Sequence, residues 1–383
     1  METREFTSGD LLTAARLAWS IRKMHAAVRG LLIAWGIYVV FTYAALATGA
    51  ARGEGFVSLF RNFEFFPFLP VQYAGVLSLA VWIVGIIAAV CTALLAAVSV
   101  SAVAVEDLRG NLMFQTVEAI RFARKQRSTV LAVMGALALL SLLFVAGCAV
   151  AALVGRIPVF GELALAVAAL PLFFWALAGA AVILVFLFGF VTVPAIIAWT
   201  GEDALETLLQ AFSLVWSRPV KFLLLQIAAR IITAISMLLL GLLCFGALLL
   251  ILFTAAPIAG FKLNELFTIA LYRIPGLMDS ELALRVIYFL CTSLGTPCIV
   301  DTTTVSTTVQ TAGWILGVSS LLALAWIASY GFSVFYSAQV IIYRVLTPGK
   351  GGESAARSND GTAKGSAAQE KTEPSSDAGR AVS

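Results

Sequence analysis

The sequence predicts an all-α polytopic membrane protein, and three observations support this class. Of the 383 residues, 61% are hydrophobic and only 12% are charged, whereas an ordinary soluble domain is about 25% charged. The mean hydropathy is +0.98. Six uncharged stretches also reach the length of about 20 residues that a helix needs to cross the bilayer core. A water-soluble fold of this size has too little interior to hide so much apolar surface.

The uncharged stretches give the order of the elements. They are Gly30–Ala51, Phe65–Val105, Ser128–Gly155, Leu163–Gly201, Ile231–Phe261 and Thr302–Tyr343. Within them we predict spans near 31–51, 72–100, 129–154, 164–198, 231–259 and 313–342, which together make a transmembrane domain over 31–346. A seventh stretch, Val286–Val300, has only 15 residues and contains Gly295 and Pro297. It therefore predicts an interfacial or re-entrant segment.

The two ends of the chain differ from the spans in composition. Residues 1–30 carry interspersed charge and predict a cytoplasmic amphipathic helix that is not a cleaved signal peptide. Residues 347–383 are rich in Gly, Ser, Ala and charge, with no aromatic residue, and predict a disordered cytoplasmic tail.

Basic residues predict the orientation of the spans. Nineteen of the 25 Lys and Arg residues fall in the two ends and in the second and fourth connections, and six fall on the other side. By the positive-inside rule, both termini are expected in the cytoplasm. The membrane itself is expected to be a bacterial inner membrane.

The alternation of stretch lengths predicts three parallel hairpin repeats. The lengths run 22, 41, 28, 39, 31 and 42, a short stretch before a long one three times. Each repeat begins with a glycine and a capping residue, namely Gly9-Asp10, Gly110-Asn111 and Gly201 with Asp203. An amphipathic helix then follows, and these helices align on Ala14, Ala119 and Ala211. The long spans also end alike, at Ser101-Ala102, Pro194-Ala195 and Ser337-Ala338.

The amphipathic helices supply the candidate site. Their basic residues are predicted to lie at headgroup level, where each contributes about 1 kcal/mol of attraction to an anionic leaflet. Orientation of the chain during insertion explains the same charges without any lipid recognition. The residues are Arg16, Arg22, Lys23, Arg121, Arg124, Lys125, Arg127, Arg218 and Lys221.

Few residues within the spans suggest chemistry. No Asp, Glu or Lys interrupts the six apolar stretches, whereas coupled carriers place such groups at depth. Nucleophile elbows, phosphate-binding loops and metal-binding histidine pairs are missing from the sequence. We therefore expect no enzyme activity, no catalytic or cofactor-binding residues and no bound metal. A formal net charge of +4 is also too small to indicate nucleic acid as a partner.

Two polar features leave alternatives open. Ser329, Ser333 and Gln339 in the last span line a cavity if the chain is a transporter component, but small hydroxyl residues also mediate helix packing, and we favour packing. Arg230 is expected to reach the headgroups from the start of the fifth span.

Two cysteines are candidates for a disulfide. Cys291 and Cys298 lie in the large connection that the charge count places outside the cytoplasm, where an oxidising compartment permits a bridge. Two free thiols are the alternative.

The exit of the fourth span carries a family resemblance. Val193-Pro194-Ala195-Ile196-Ile197, then Gly201-Glu202-Asp203, and the ending Tyr336-Ser337-Ala338 resemble uncharacterised bacterial multi-pass families, including the membrane domain ahead of some glycerophosphodiester phosphodiesterases. The resemblance implies a six-helix membrane module with lipid association as its theme, and it implies no phosphodiesterase activity, because the catalytic domain is missing from this sequence.

These observations lead to two expectations for function. The first is a membrane scaffold or lipid-associated module without a catalytic centre, whose partners are membrane lipids and other membrane proteins. The second is a transporter or permease component for an uncharged or amphipathic substrate.

Overall fold

A computed structural model describes residues 11–48, 67–70, 75–111, 113–158, 160–259, 266 and 306–347. All regular secondary structure in these residues is helical, as the sequence predicts. Six helices are long and apolar enough to cross a membrane. They are α2 (Ile21–Thr48), α3 (Val76–Leu108), α5 (Arg127–Val154), α6 (Phe160–Thr200), α8 (Pro219–Ala259) and α9 (Thr307–Leu346). Three shorter helices precede α2, α5 and α8, namely α1 (Thr13–Ala18), α4 (Thr116–Lys125) and α7 (Ala204–Ser217).

Two of the long helices begin well before the predicted spans. Helix α2 starts at Ile21 rather than near residue 31, and α8 starts at Pro219 rather than near residue 231. Hydropathy locates the apolar segment, whereas the helix continues through charged turns that keep their backbone hydrogen bonds. Pro219 is suited to the first position of α8, because its missing N–H has no partner there in any helix. Arg230 lies in the fourth turn of α8 with an exposed side chain.

Glycines end two of the long helices as the sequence predicts. Gly110 follows α3 with φ +84° and Gly201 follows α6 with φ +65°, a left-handed conformation that glycine adopts without steric cost. Asp203 then occupies the N-cap position of α7.

The predicted cap at Asn111 is wrong. Helix α4 begins at Thr116, and its capping box pairs the backbone N–H of Gln115 with the Glu118 carboxylate at 3.0 Å. The side chain of Asn111 instead donates to Glu106 Oε2 at 3.0 Å. Asp10, the third predicted cap, lies outside the described residues, as do Val286–Val300 and the tail from residue 348.

The long helices pack in a consistent pattern. Helix α2 packs on α3, α5 on α6, and α8 on α9, while α3, α6 and α9 contact one another at the centre. Helix α4 packs on α3 and α7 on α6, in each case the central helix that precedes the short helix in the chain, while α1 packs on the last central helix, α9. We call the end of the bundle that carries the short helices the basic end. The buried apolar core lies here, among the last turns of the central helices and the first turns of α5 and α8.

The opposite halves of α5, α6 and α8 expose most of their large apolar side chains. Leu139, Leu170 and Leu242, for example, are 69%, 68% and 57% exposed. This surface is suited to lipid and not to water.

A proline inside α6 is accommodated by a neighbouring helix. Pro194 lacks an N–H, so the carbonyl of Phe190 loses its partner within the helix. The hydroxyl of Tyr336 on α9 donates to that carbonyl at 3.2 Å. Helix α6 therefore continues to Thr200 without the unwinding that Pro171 and Pro194 permit.

Candidate membrane-interface site

The predicted basic residues cluster at the basic end, and most are accessible. Seven of the nine have exposed side chains: Arg16, Arg121, Arg124, Lys125, Arg127, Arg218 and Lys221. None of these seven forms an ion pair within the described residues. The side chain of Arg22 is 31% exposed, and that of Lys23 is fully buried.

Lys23 is therefore not at headgroup level, and its burial has a clear cause. Its Nζ lies 2.9 Å from Asp107 Oδ2 and donates to the carbonyl of Leu17 at 2.7 Å. Arg22 Nη2 lies 3.2 Å from the second oxygen of Asp107, and its Nη1 donates to the carbonyl of Phe114 at 2.9 Å. This ion cluster joins the end of α1 and the start of α2 to the end of α3, because antiparallel packing brings the two helix ends together.

Helix α4 carries the densest basic surface. Ala119 and Ala123, one turn apart, are buried because their small side chains allow close packing on α3. Arg121, Arg124 and Lys125 are exposed on the rest of the helix. Basic residues in the last turn also interact favourably with the helix dipole.

Helices α1 and α7 present apolar and aromatic side chains at the positions that align with the outer surface of α4. Leu12 and Trp19 are 72% and 63% exposed on α1, and Leu209 and Trp216 are 56% and 68% exposed on α7. The aligned positions of α4 are Val117, which is 59% exposed, and Arg124. Exposed Trp and Leu beside basic residues are typical of helices that lie in the bilayer interface.

The polar residues of the last span have partners within the protein. Ser329 donates to the carbonyl of Trp326 at 2.6 Å and Ser333 to that of Ala18 at 3.3 Å. The amides of Gln339 and Gln226 exchange two hydrogen bonds, of 2.7 and 3.1 Å, between α9 and α8. Ser329, Ser333 and both glutamines are at most 1% exposed. Their contacts are those of helix packing.

The glutamine pair makes a stability prediction. Gln226→Leu alone is expected to lower the free energy of unfolding by about 2 kcal/mol, because it leaves the buried Gln339 amide without a partner. Replacing both glutamines by Leu is expected to cost less than either single change. A double-mutant cycle of unfolding in mixed micelles measures the coupling. Additive costs would show that the two amides do not depend on each other.

Sequence reasoning missed two features of the basic end. Asp107 was not identified as the partner of Lys23, although a hairpin places the end of its second helix near the start of its first. The guanidinium groups of Arg109 and Arg344 lie 5.5 and 5.4 Å from the centroid of the Trp199 ring, within cation–π range. No local pattern in the sequence indicates that these three residues meet.

The cysteines divide into two groups. Cys91, Cys148 and Cys244 are free thiols. Cys291 and Cys298 lie outside the described residues, so the proposed bridge stays a prediction.

The fold and the exposed apolar surface fit the class of multi-pass, all-helical membrane proteins. Comparison with protein-family models, with curated proteins and with solved structures gave no match.

Proposed function

We propose that this chain is a membrane scaffold without a catalytic centre that holds anionic lipid against its basic end. The observation that carries the proposal is the surface of α4, where Arg121, Arg124, Lys125 and the neighbouring Arg127 are exposed and form no ion pair within the described residues. Four accessible cations at the start of a spanning helix provide several kcal/mol of attraction to an anionic leaflet, at about 1 kcal/mol each.

The proposal includes a bacterial inner membrane with both termini in the cytoplasm. The positive-inside asymmetry supports this orientation, because the described residues of the basic end carry far more Lys and Arg than those of the opposite end. The resemblance to phosphodiesterase membrane domains supports only the six-helix architecture and the lipid association.

The proposal also includes a triplicated hairpin arranged around α3, α6 and α9. The cyclic order of contacts, in which each short helix packs on the preceding central helix, supports it. The aligned residues Ala14, Ala119 and Ala211 are 0%, 0% and 1% exposed, so the same face of each short helix is buried. Parallel repeats related by an axis along the membrane normal account for both observations.

Packing of the last span favours a scaffold over a permease. A permease that used Ser329, Ser333 and Gln339 would need them to face a water-accessible cavity. All three are buried. Ser333 and Gln339 are hydrogen-bonded to other parts of the bundle, and Ser329 donates to the carbonyl of Trp326 within its own helix.

The test neutralises the basic residues near α4. Replacing Arg121, Arg124, Lys125 and Arg127 by Gln is expected to reduce the enrichment of anionic over neutral phospholipid in the full-length protein at least ten-fold. The measurement is mass spectrometry of the lipids retained after extraction from nanodiscs of equal phosphatidylglycerol and phosphatidylcholine content. The wild-type enrichment should also fall as salt is added, because exposed charges are screened.

A charge-matched control separates recognition from net charge. Replacing Lys350, Arg357, Lys364 and Lys371 of the tail by Gln removes the same number of charges and is expected to leave the enrichment within two-fold of the wild type. Equal retention of both lipids by the wild type, or equal losses in the two variants, would contradict the proposal.

A further inference from the structure

An open groove of about 550 Å³ lies between α1 and α9, lined by Ala15, Arg16, Trp19 and Tyr330. The rings of Trp19 and Tyr330 pack edge to face with their centroids 5.3 Å apart. The tryptophan is 63% exposed and the tyrosine 6% exposed, so the first forms an open wall of the groove and the second lies deeper in it.

The polar groups of the groove are unsatisfied hydrogen-bond donors. Arg16 is exposed and forms no ion pair within the described residues, and the Tyr330 hydroxyl forms no hydrogen bond within them. Among the described residues, no carboxylate lines the groove. A guanidinium and a phenol that line the same groove match the oxygens of a phosphate ester, since the guanidinium can donate two parallel hydrogen bonds and the phenol a third.

Two hydrogen bonds hold the end of α1, which forms one wall of the groove. The carbonyl of Ala18 accepts a hydrogen bond from Ser333, and the carbonyl of Leu17 accepts one from the buried Lys23. These contacts fix the end of α1 against α9, so a ligand of the groove meets a preorganised surface and little ordering is needed on binding.

An apolar surface continues from the groove along α9. Leu322 and Trp326, about two turns and one turn before Tyr330, are 53% and 40% exposed, and Ile21 beside Trp19 is 77% exposed. A ligand that contacts both parts has a phosphate group and long apolar chains, which is the chemistry of a phospholipid. A free phosphate ester would leave the apolar part uncovered.

The combination of donors is specific to this groove. In the repeat alignment, the positions that correspond to Tyr330 are Leu94 on α3 and Leu187 on α6. The positions that correspond to Arg16 are Arg121 and Ser213. Neither of the other two helix pairs therefore has both an arginine and a phenol at these positions.

We propose that the groove binds a single anionic phospholipid, with its phosphate on Arg16 and the Tyr330 hydroxyl and its chains along Trp19 and α9. This inference rests on the proposed lipid association of the chain, and it adds one defined site to the diffuse attraction of α4.

The test counts phosphatidylglycerol molecules bound to the full-length protein in detergent by native mass spectrometry. The wild type is expected to hold one molecule about ten-fold more tightly than any further molecule, and more tightly than it holds phosphatidylcholine. Arg16→Gln is expected to weaken this first binding step about ten-fold and Tyr330→Phe about three-fold. Arg156→Gln, which removes an exposed arginine at the opposite end of the bundle, is the matched control and is expected to change that step less than two-fold. Glycerol 3-phosphate at millimolar concentration should not displace the bound lipid.

The outcomes separate the groove from the basic surface of α4. Equal losses in Arg16→Gln and Arg156→Gln would overturn the defined site, and the four-residue α4 variant would still test the proposed function separately. Unchanged binding in Arg16→Gln and Tyr330→Phe would also overturn the defined site. Displacement by glycerol 3-phosphate would make a soluble phosphate ester the ligand. Loss of the first lipid in Arg16→Gln, with no effect of the four α4 substitutions on anionic enrichment, would support the groove and reject the general lipid-holding role.

Discussion

Asp107→Asn is expected to lower the free energy of unfolding by about 3 to 5 kcal/mol, the range for breaking a buried ion pair by removing one partner. Lys23 is fully buried and the Asp107 side chain only 7% exposed, so the ammonium group would keep its burial and lose its nearest anion. Neutral Asn retains a hydrogen-bond acceptor but no charge. The measurement is unfolding in mixed micelles by titration with sodium dodecyl sulfate, followed by tryptophan fluorescence.

Two control variants make this prediction specific to charge pairing. Glu106→Gln removes the neighbouring pair with Arg109, which has an N–O distance of 2.8 Å and an Arg side chain that is 44% exposed, and is expected to cost less than about 1 kcal/mol. The double variant Lys23→Met with Asp107→Leu removes both buried charges and is expected to recover most of the lost stability. A double variant as unstable as Asp107→Asn would mean that the two side chains stabilise the fold by something other than their pairing.

The ion cluster also connects stability to the proposed lipid site. Lys23 donates to Leu17, at the end of the short helix that forms one wall of the groove. Loss of Asp107 should therefore loosen α1 as well as the contact between α2 and α3. Weaker phosphatidylglycerol binding in Asp107→Asn follows from this, although neither Asp107 nor Lys23 lines the groove.

The elements that sequence reasoning predicted correctly depend on local patterns. Hydropathy summed over about 20 residues identifies a spanning helix without reference to any other part of the chain, and all six were identified. Gly110 and Gly201 end helices because of their own backbone freedom, so their role was also predictable. The start of α2 at Ile21 was not predictable from the sequence, since charged residues near an interface are compatible with both helix and loop.

The missed contacts depend on how the helices are rotated against each other. Gln226 and Gln339 are 113 residues apart in the chain, and hydropathy does not report which face of each helix points inward. For the same reason Lys23 was grouped with the exposed basic residues, although its side chain is buried against Asp107 at the end of α3. Hairpin topology limits such pairings to helix ends that meet, but only the packed bundle selects among them.

A close contact between α2 and α3 gives the second prediction. Ala26, Gly30 and Ala34 recur every four residues along α2, and both alanines are buried. A Cβ added at Gly30 would overlap the side chain of Ala96 and come within 3.2 Å of its Cα. Small residues at this spacing allow the backbones of membrane helices to approach closely, so α2 and α3 must separate to accept even one methyl group.

Gly30→Ala is therefore expected to lower the free energy of unfolding by about 3 kcal/mol, the upper end of the usual cost of overpacking. Gly36→Ala is the matched control on the same helix, because a Cβ there meets nothing within 4 Å, and the higher helix propensity of Ala should leave stability unchanged or raise it by up to about 1 kcal/mol.

Adding Ala96→Gly to Gly30→Ala moves the missing methyl group to the partner helix and should restore most of the loss. Equal effects of Gly30→Ala and Gly36→Ala in the mixed-micelle titration, or no rescue by Ala96→Gly, would contradict a close contact at this position. The substitutions thus test whether the separation of α2 and α3, and with it the position of the ion cluster at their basic end, is set by side-chain volume at Gly30.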